Sequence, residues 1–185
     1  MTIWDRLVGQ PDTVHLLQRA IADARIDPPG PGMTHAWLFT GPPGAGRSTA
    51  ALLLAAGLEC ADGGCGVCAN CTDVLRDAHD DVVRFEPQQL QITRDEAAHL
   101  IHLAARKPVR GRWSVIIVED ADRLNEVSGN MLLKSIEEPT PHTIWLLCAP
   151  SVEDVLPTIR SRCRVQVLRT PSWRDVAELL QQDGV

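Results

Sequence analysis

Two groups of residues in this chain have types and spacings that could do chemistry. The first is Gly41-Pro-Pro-Gly-Ala-Gly-Arg-Ser48, set between an apolar run, Ala36 to Phe39, and a helix-forming run, Thr49 to Ala56. A strand that ends in a glycine-rich turn and reopens as a helix exposes successive backbone N–H groups. The helix's positive end then faces whatever anion fills the turn. The spacing is that of a phosphate-binding loop, with Gly41, Gly44, Gly46, Ser48 and Thr49 in place. Arg47 stands where such loops carry lysine. A guanidinium keeps the charge, but its wide planar fork differs in reach from the compact ammonium that contacts the β- and γ-phosphates. A tight turn without a ligand is the plainer reading of the same residues.

The second group is Cys60, Cys65, Cys68 and Cys71, spaced C-x4-C-x2-C-x2-C. Thiolates at this spacing point to zinc held in a closed tetrahedral shell, which makes the site structural and not catalytic. Free thiols or a redox pair are the alternatives. Cys148 and Cys163 lie in or beside apolar runs and read as small buried residues.

A phosphate loop needs a strand that ends in a carboxylate. The run Val115 to Val118 ends in Glu119-Asp120, the reverse of the usual Asp-then-Glu order, and displacements near about 1 Å cost about a hundredfold in rate. Solvated charges closing a buried strand are an equal reading of that pair. After the next strand comes Cys148-Ala-Pro-Ser151, where Ser151 alone could hydrogen-bond a phosphate. Ser161-Arg162-Cys163 offers a rigid guanidinium that could project into a neighbouring molecule's site, or a surface arginine beside a buried cysteine.

The elements that position these groups follow from periodicity. Helices are expected from Pro11 to about Arg25, after the phosphate loop, over Asn70 to Ala78, after the capping box Thr93 to Glu96, over a face of Val127, Met131, Leu132 and Ile136, and from Val152 to Ile159. Strands are expected at Ala36–Phe39, Val82–Phe85, Val115–Val118, Thr143–Cys148 and Arg164–Leu168. This alternation predicts a parallel five-stranded αβα sheet with right-handed crossovers. A last helix after Ser172, with Val176, Leu179 and Leu180 on one face, looks detached from it.

With 185 residues and 44% apolar content, the chain can bury one good core. Its formal charge of −6 excludes a global basic field for nucleic acid. No apolar run reaches membrane-spanning length and the N-terminus lacks the plan of a signal peptide, so a cytoplasmic location is expected.

Taken together, Val8-Gly9-Gln10, the phosphate loop, the cysteine insertion after its helix, Leu132-Leu-Lys-Ser-Ile-Glu-Glu-Pro139 and Ser161-Arg162-Cys163 resemble the clamp loader subunits of bacterial DNA polymerase III. Arg47, Glu119-Asp120 and Ala149-Pro150 bring the chain nearer the delta-prime type than the gamma/tau type. The resemblance implies an AAA+ P-loop domain over residues 1–171 with a zinc module at about 59–78. A helical lid would begin at 172–185, and a collar domain lies outside this chain, which is then a fragment. It implies a stator that supports loading of the sliding clamp onto primed DNA, with gamma/tau and delta subunits as partners and contact with DNA mainly indirect. Arg162 becomes an arginine finger acting in trans, and the four cysteines become structural Zn2+ ligands. Gly41, Gly44, Gly46, Arg47, Ser48, Thr49, Glu119 and Asp120 become a degenerate nucleotide site in which ATP and Mg2+ stay an open question. An active gamma/tau-like motor is the alternative. A zinc-dependent nucleic-acid module is a weaker third reading, opposed by the charge.

Overall fold

The computed structural model describes residues 2–182, with side chains described for residues 2–177. The expected apolar face at Leu179 and Leu180 lies outside the described side chains.

Five strands, β1 (Ala36–Thr40), β2 (Val82–Phe85), β3 (Ser114–Val118), β4 (Thr143–Ala149) and β5 (Arg164–Val167), form one sheet in the order β2-β3-β4-β1-β5. All four pairings are parallel. Helices must therefore cross back over the sheet, and both faces are covered. These are α1 (Pro11–Ala24), α2 (Arg47–Glu59), α3 (Ala69–Leu75), α4 (Arg94–Ala104), α5 (Glu126–Glu137) and α6 (Pro157–Arg160), followed by α7 (Trp173–Gln182).

Alternation along β1 and β4 divides the core. Trp37, Phe39, Ile144, Leu146 and Cys148 face α1 and α2, with the buried residues Leu17, Ile21, Leu53 and Leu54. Ala36, Leu38, Trp145 and Leu147 face the opposite layer, with Leu100, Leu132, Ile136 and Ile159. The three central strands are buried at every position, as their unbroken apolar runs require.

Local signals set the element ends. Thr93 accepts from the Glu96 amide while the Glu96 carboxylate accepts from the Thr93 amide, a reciprocal cap that starts α4. Asn125 and Ser128 do the same for α5. Small residues let α2 approach its neighbours closely: a Cβ added at Gly57 would lie 2.3 Å from Ile21 Cδ1.

Three expectations change. Helix α6 begins only at Pro157, because proline fits a first helical position but disrupts an interior, so Val152–Leu156 is a turn. Val127 is 61% exposed, and the buried stripe of α5 is Ser128, Gly129, Leu132 and Ile136. A 3-10 turn at Ile3–Arg6, absent from the periodicity reading, buries Ile3 and Trp4 beneath the cysteine module.

Candidate functional site

The phosphate loop leaves β1 at Thr40 and enters α2 at Arg47. Gly41 has φ 155°, and a Cβ there would meet the Leu168 carbonyl oxygen at 2.6 Å, so the turn after β1 needs glycine. Gly46 caps α2 in the left-handed region at φ 90° and offers no side-chain cap. The first amides of α2 therefore have no side-chain acceptor, the geometry that receives an anion. Gln10, from the Val8-Gly9-Gln10 motif, ties the loop down by donating to the carbonyls of Ala45 and Arg169.

Ser48 Oγ donates to Glu119 Oε2 at 2.7 Å, so the loop and the end of β3 meet as their spacing predicts. The other carboxylate oxygen, Oε1, is 3.0 Å from Arg84 Nε. Arg84 lies on β2, and its two remaining nitrogens reach Asp77 Oδ2 at 3.3 Å and Glu86 Oε1 at 3.0 Å. Burial would lower the Arg84 pKa, but the charges of Glu119, Asp77 and Glu86 raise it, and the side chain stays cationic. The Cys148 thiol is pushed well up by burial and by the Glu119 charge beside it. Arg47 Nη1 is buried and has no hydrogen-bond partner among the described residues.

Asp120 adopts a left-handed φ of 47° and pairs with Arg123 at 3.1 Å. Ser151 Oγ donates to Asp154 Oδ2 at 2.8 Å. A magnesium ion of phosphate-loop proteins is held by the loop serine and a strand-end carboxylate. Here those two groups bind each other and the spare carboxylate oxygen carries a guanidinium. The residues as arranged fit a phosphate at the loop and do not fit a divalent metal on Glu119.

The cysteine module does fit a metal. Its four sulfurs lie within 4.8 Å of one another, and Cys60 and Cys68 Sγ are 3.7 Å apart. A tetrahedron with zinc–sulfur bonds of about 2.3 Å has edges of about 3.8 Å. The Cys65 amide points at Cys60 Sγ, that of Cys68 at Cys65 Sγ, and that of Cys71 at Cys68 Sγ, each at 3.4 Å. Burial pushes the Cys60 thiol up, yet the amides of Cys65, Gly64 and Asp62 outweigh it and hold it at about 6. The module is anchored to the body by Trp4 Nε1 on the Gly63 carbonyl and Arg25 on the Cys60 carbonyl.

Arg162 lies far from its own phosphate loop. In the β1–β5 register Trp37 faces Arg164, so Arg162 is level with the residues before β1. That is the opposite end of the sheet from Gly41, about 20 Å along the strand direction at about 3.3 Å per residue. Its Nη1 donates to the Thr158 carbonyl at 2.7 Å and its Nη2 pairs with Glu137 Oε1 at 2.9 Å. Burial raises the neighbouring Cys163 thiol to about 12.

Sequence reasoning missed Arg84, Asp77 and Glu86, although a lone arginine inside Val82-Val-Arg-Phe85 was the available signal. It also missed a buried clamp. Asp81 accepts from the amides of Val109, Arg110 and Gly111, and Glu59 accepts from those of Arg112 and Trp113. Five consecutive N–H groups before β3 thus end on two carboxylates. Burial pushes the Glu59 carboxyl up to about 7 against the pull of its amides.

A family model described as "DNA polymerase III, delta subunit" matches residues 9–172. The gamma/tau subunit of Mycobacterium tuberculosis is 35% identical over 189 aligned positions, covering 97% of this chain and 31% of the relative. The delta' subunit of Pseudomonas aeruginosa is 35% identical, covering 74% of this chain and 44% of its own length. The delta' subunit of Bacillus subtilis is 31% identical, covering 94% and 52%. The chain thus spans from about a third to about half of these relatives. Among solved structures, a DNA polymerase III gamma subunit-related protein of Thermotoga maritima superposes with TM-score 0.65 at 19% identity, covering 91% of this chain and 49% of that one. The RuvB Holliday junction branch migration motor of the same organism superposes with TM-score 0.61 at 18% identity, covering 96% and 51%. At those identities the likeness establishes the fold alone.

Proposed function

The chain belongs to the DNA polymerase III clamp loader family, through its match to the delta-subunit model, and from that premise we propose that it acts as a delta-prime-type stator. In this reading it does not turn over ATP itself. It lends Arg162 in trans to the nucleotide site of a neighbouring gamma/tau subunit while the assembly loads the sliding clamp onto primed DNA in the cytoplasm. Partners are gamma/tau and delta subunits, with DNA met mainly through them. The cysteine module holds Zn2+, which ties Cys60 to Cys71 as a structural crosslink. Helix α7, opened by a reciprocal Ser172–Asp175 cap, would begin a helical lid.

One observation supports this reading: Arg162 stands at the opposite end of the sheet from the chain's own phosphate loop, out of reach of that site, as a residue acting in trans would. Thr158 and Glu137 hold two of its nitrogens, which pre-orients the fork before a partner docks. A positioned guanidinium of this kind stabilises charge on a transferring phosphoryl group by about 10³–10⁵ in rate. The test is a reconstituted complex carrying Arg162→Ala. Assembly should persist while the ATPase rate coupled to clamp loading falls; an unchanged rate refutes the assignment.

A gamma/tau-like motor is the second reading, favoured by the 97% coverage in the gamma/tau alignment and by the intact glycines and Ser48 of the loop. Sustained ATP turnover by the isolated chain, lost in Asp120→Ala, would move the assignment there.

A further inference from the structure

We propose that Arg84 is a built-in cation that takes the place of a divalent metal on Glu119, so that this phosphate loop meets its anions without a metal ion. The inference deepens the reading of a chain that does not turn over nucleotide. It rests only on groups around the loop and not on Arg162.

The loop serine and both oxygens of the strand-end carboxylate already have protein partners. Ser48 Oγ and Glu119 Oε2 are joined at 2.7 Å, and Glu119 Oε1 is joined to Arg84 Nε at 3.0 Å. The next carboxylate along, Asp120, is paired with Arg123 at 3.1 Å. A guanidinium held by one acid could swing away, but Arg84 is held by three. Asp77 and Glu86 take Nη1 and Nη2, so all three nitrogens are ion-paired and the fork has one orientation. The cage is built from separate parts of the fold. Arg84 and Glu86 come from β2 and its end, and Glu119 from the end of β3. Asp77 comes from the turn after α3, where it sits at φ 53°. Phe85 reinforces the strand-end register by accepting from the Glu119 amide at 2.9 Å.

The charge balance points the same way. Glu119 is buried, and a buried carboxylate needs a counter-charge. In a metal-dependent loop the ion supplies it; here Arg84 does so permanently. A dication approaching Glu119 Oε1 would have to displace the Arg84 guanidinium, which Asp77 and Glu86 also hold. Arg47, whose buried Nη1 has no hydrogen-bond partner among the described residues, supplies the cation on the loop itself.

The test uses the zinc-loaded chain with Mn2+ and ADP, followed by water-proton relaxation, which separates protein-held Mn2+ from Mn2+ on free ADP. The wild type should show no enhancement beyond ADP alone. Arg84→Met should take up Mn2+ more than about tenfold more tightly, as expected when a neighbouring unit charge is removed. Adding Glu119→Gln to that variant should abolish the gain. Enhancement in the wild type that disappears with Glu119→Gln overturns the proposal, as does a folded Arg84→Met chain with no gain. If circular dichroism shows Arg84→Met unfolded, Arg84→Gln takes its place and the wild-type arm still decides. Failure here leaves the Arg162 assignment standing, because that is read from the ATPase rate of the complex.

Discussion

Replacing Asp81 with asparagine should cost about 3 kcal/mol of stability at neutral pH, and the estimate follows from how the residue is used. Asp81 is buried; its Oδ1 accepts from the Val109 amide at 2.6 Å and its Oδ2 from Arg110 at 2.7 Å and Gly111 at 2.5 Å. Asparagine keeps the shape but offers one oxygen in place of two, and its NH2 group then faces at least one backbone N–H. Hydrogen bonds to a charged group contribute about 1.5–3 kcal/mol each, so losing one or two gives the stated cost. The pH dependence has a definite sign. Burial pushes the Asp81 carboxyl up, but the amides of Val109, Gly111 and Arg110 overcome it and hold it below its ordinary 3.8. A depressed carboxyl contributes stability above its unfolded value and loses it as pH falls through the folded value. The gap between wild type and Asp81→Asn should therefore be full at pH 7 and close as pH drops below about 4. Urea denaturation followed by tryptophan fluorescence measures it, with Trp113 next to the clamp reporting locally. The Asp81 charge also helps to raise the Glu59 carboxyl, so the comparison is made in a Glu59→Gln background, which removes the Glu59 titration from both chains. A gap under about 0.5 kcal/mol at pH 7, or one that widens in acid, would refute the reasoning.

Other perturbations have equally definite outcomes. Cys71→Ser should abolish stoichiometric zinc binding and lower the melting temperature, since Cys71 is fully buried and a hydroxyl is a poor zinc ligand; full zinc content by atomic absorption would contradict the four-sulfur site. Arg162→Ala should leave thermal stability within about 1 kcal/mol of wild type, because its partner Glu137 is half exposed and such pairs contribute little. A large loss would mean that Arg162 is structural. Gly57→Leu should destabilise by at least about 2 kcal/mol, since its Cβ alone would overlap Ile21 on α1; an unchanged denaturation midpoint would show that the α1–α2 contact can open.

What the sequence determined was whatever depends on local spacing. The phosphate loop, the four-cysteine insertion, the Thr93 cap and the unbroken apolar runs of β1, β3 and β4 each carry their geometry in neighbouring residues, and the structure has them where expected. Local spacing was weaker where two signals competed, as at Pro157, whose ring starts α6 instead of lying within a longer helix. Only the tertiary structure decided which charges meet. Asp77, Arg84 and Glu119 are contributed by an α3 turn, β2 and β3, and nothing in their separations along the chain implies one ionic cage around the loop's carboxylate. The sheet order likewise put Arg162 at the end opposite Gly41, because a parallel crossover returns each strand to the same starting edge. Pairwise electrostatics act through space, so they become legible only once the crossovers have set which strand ends lie side by side.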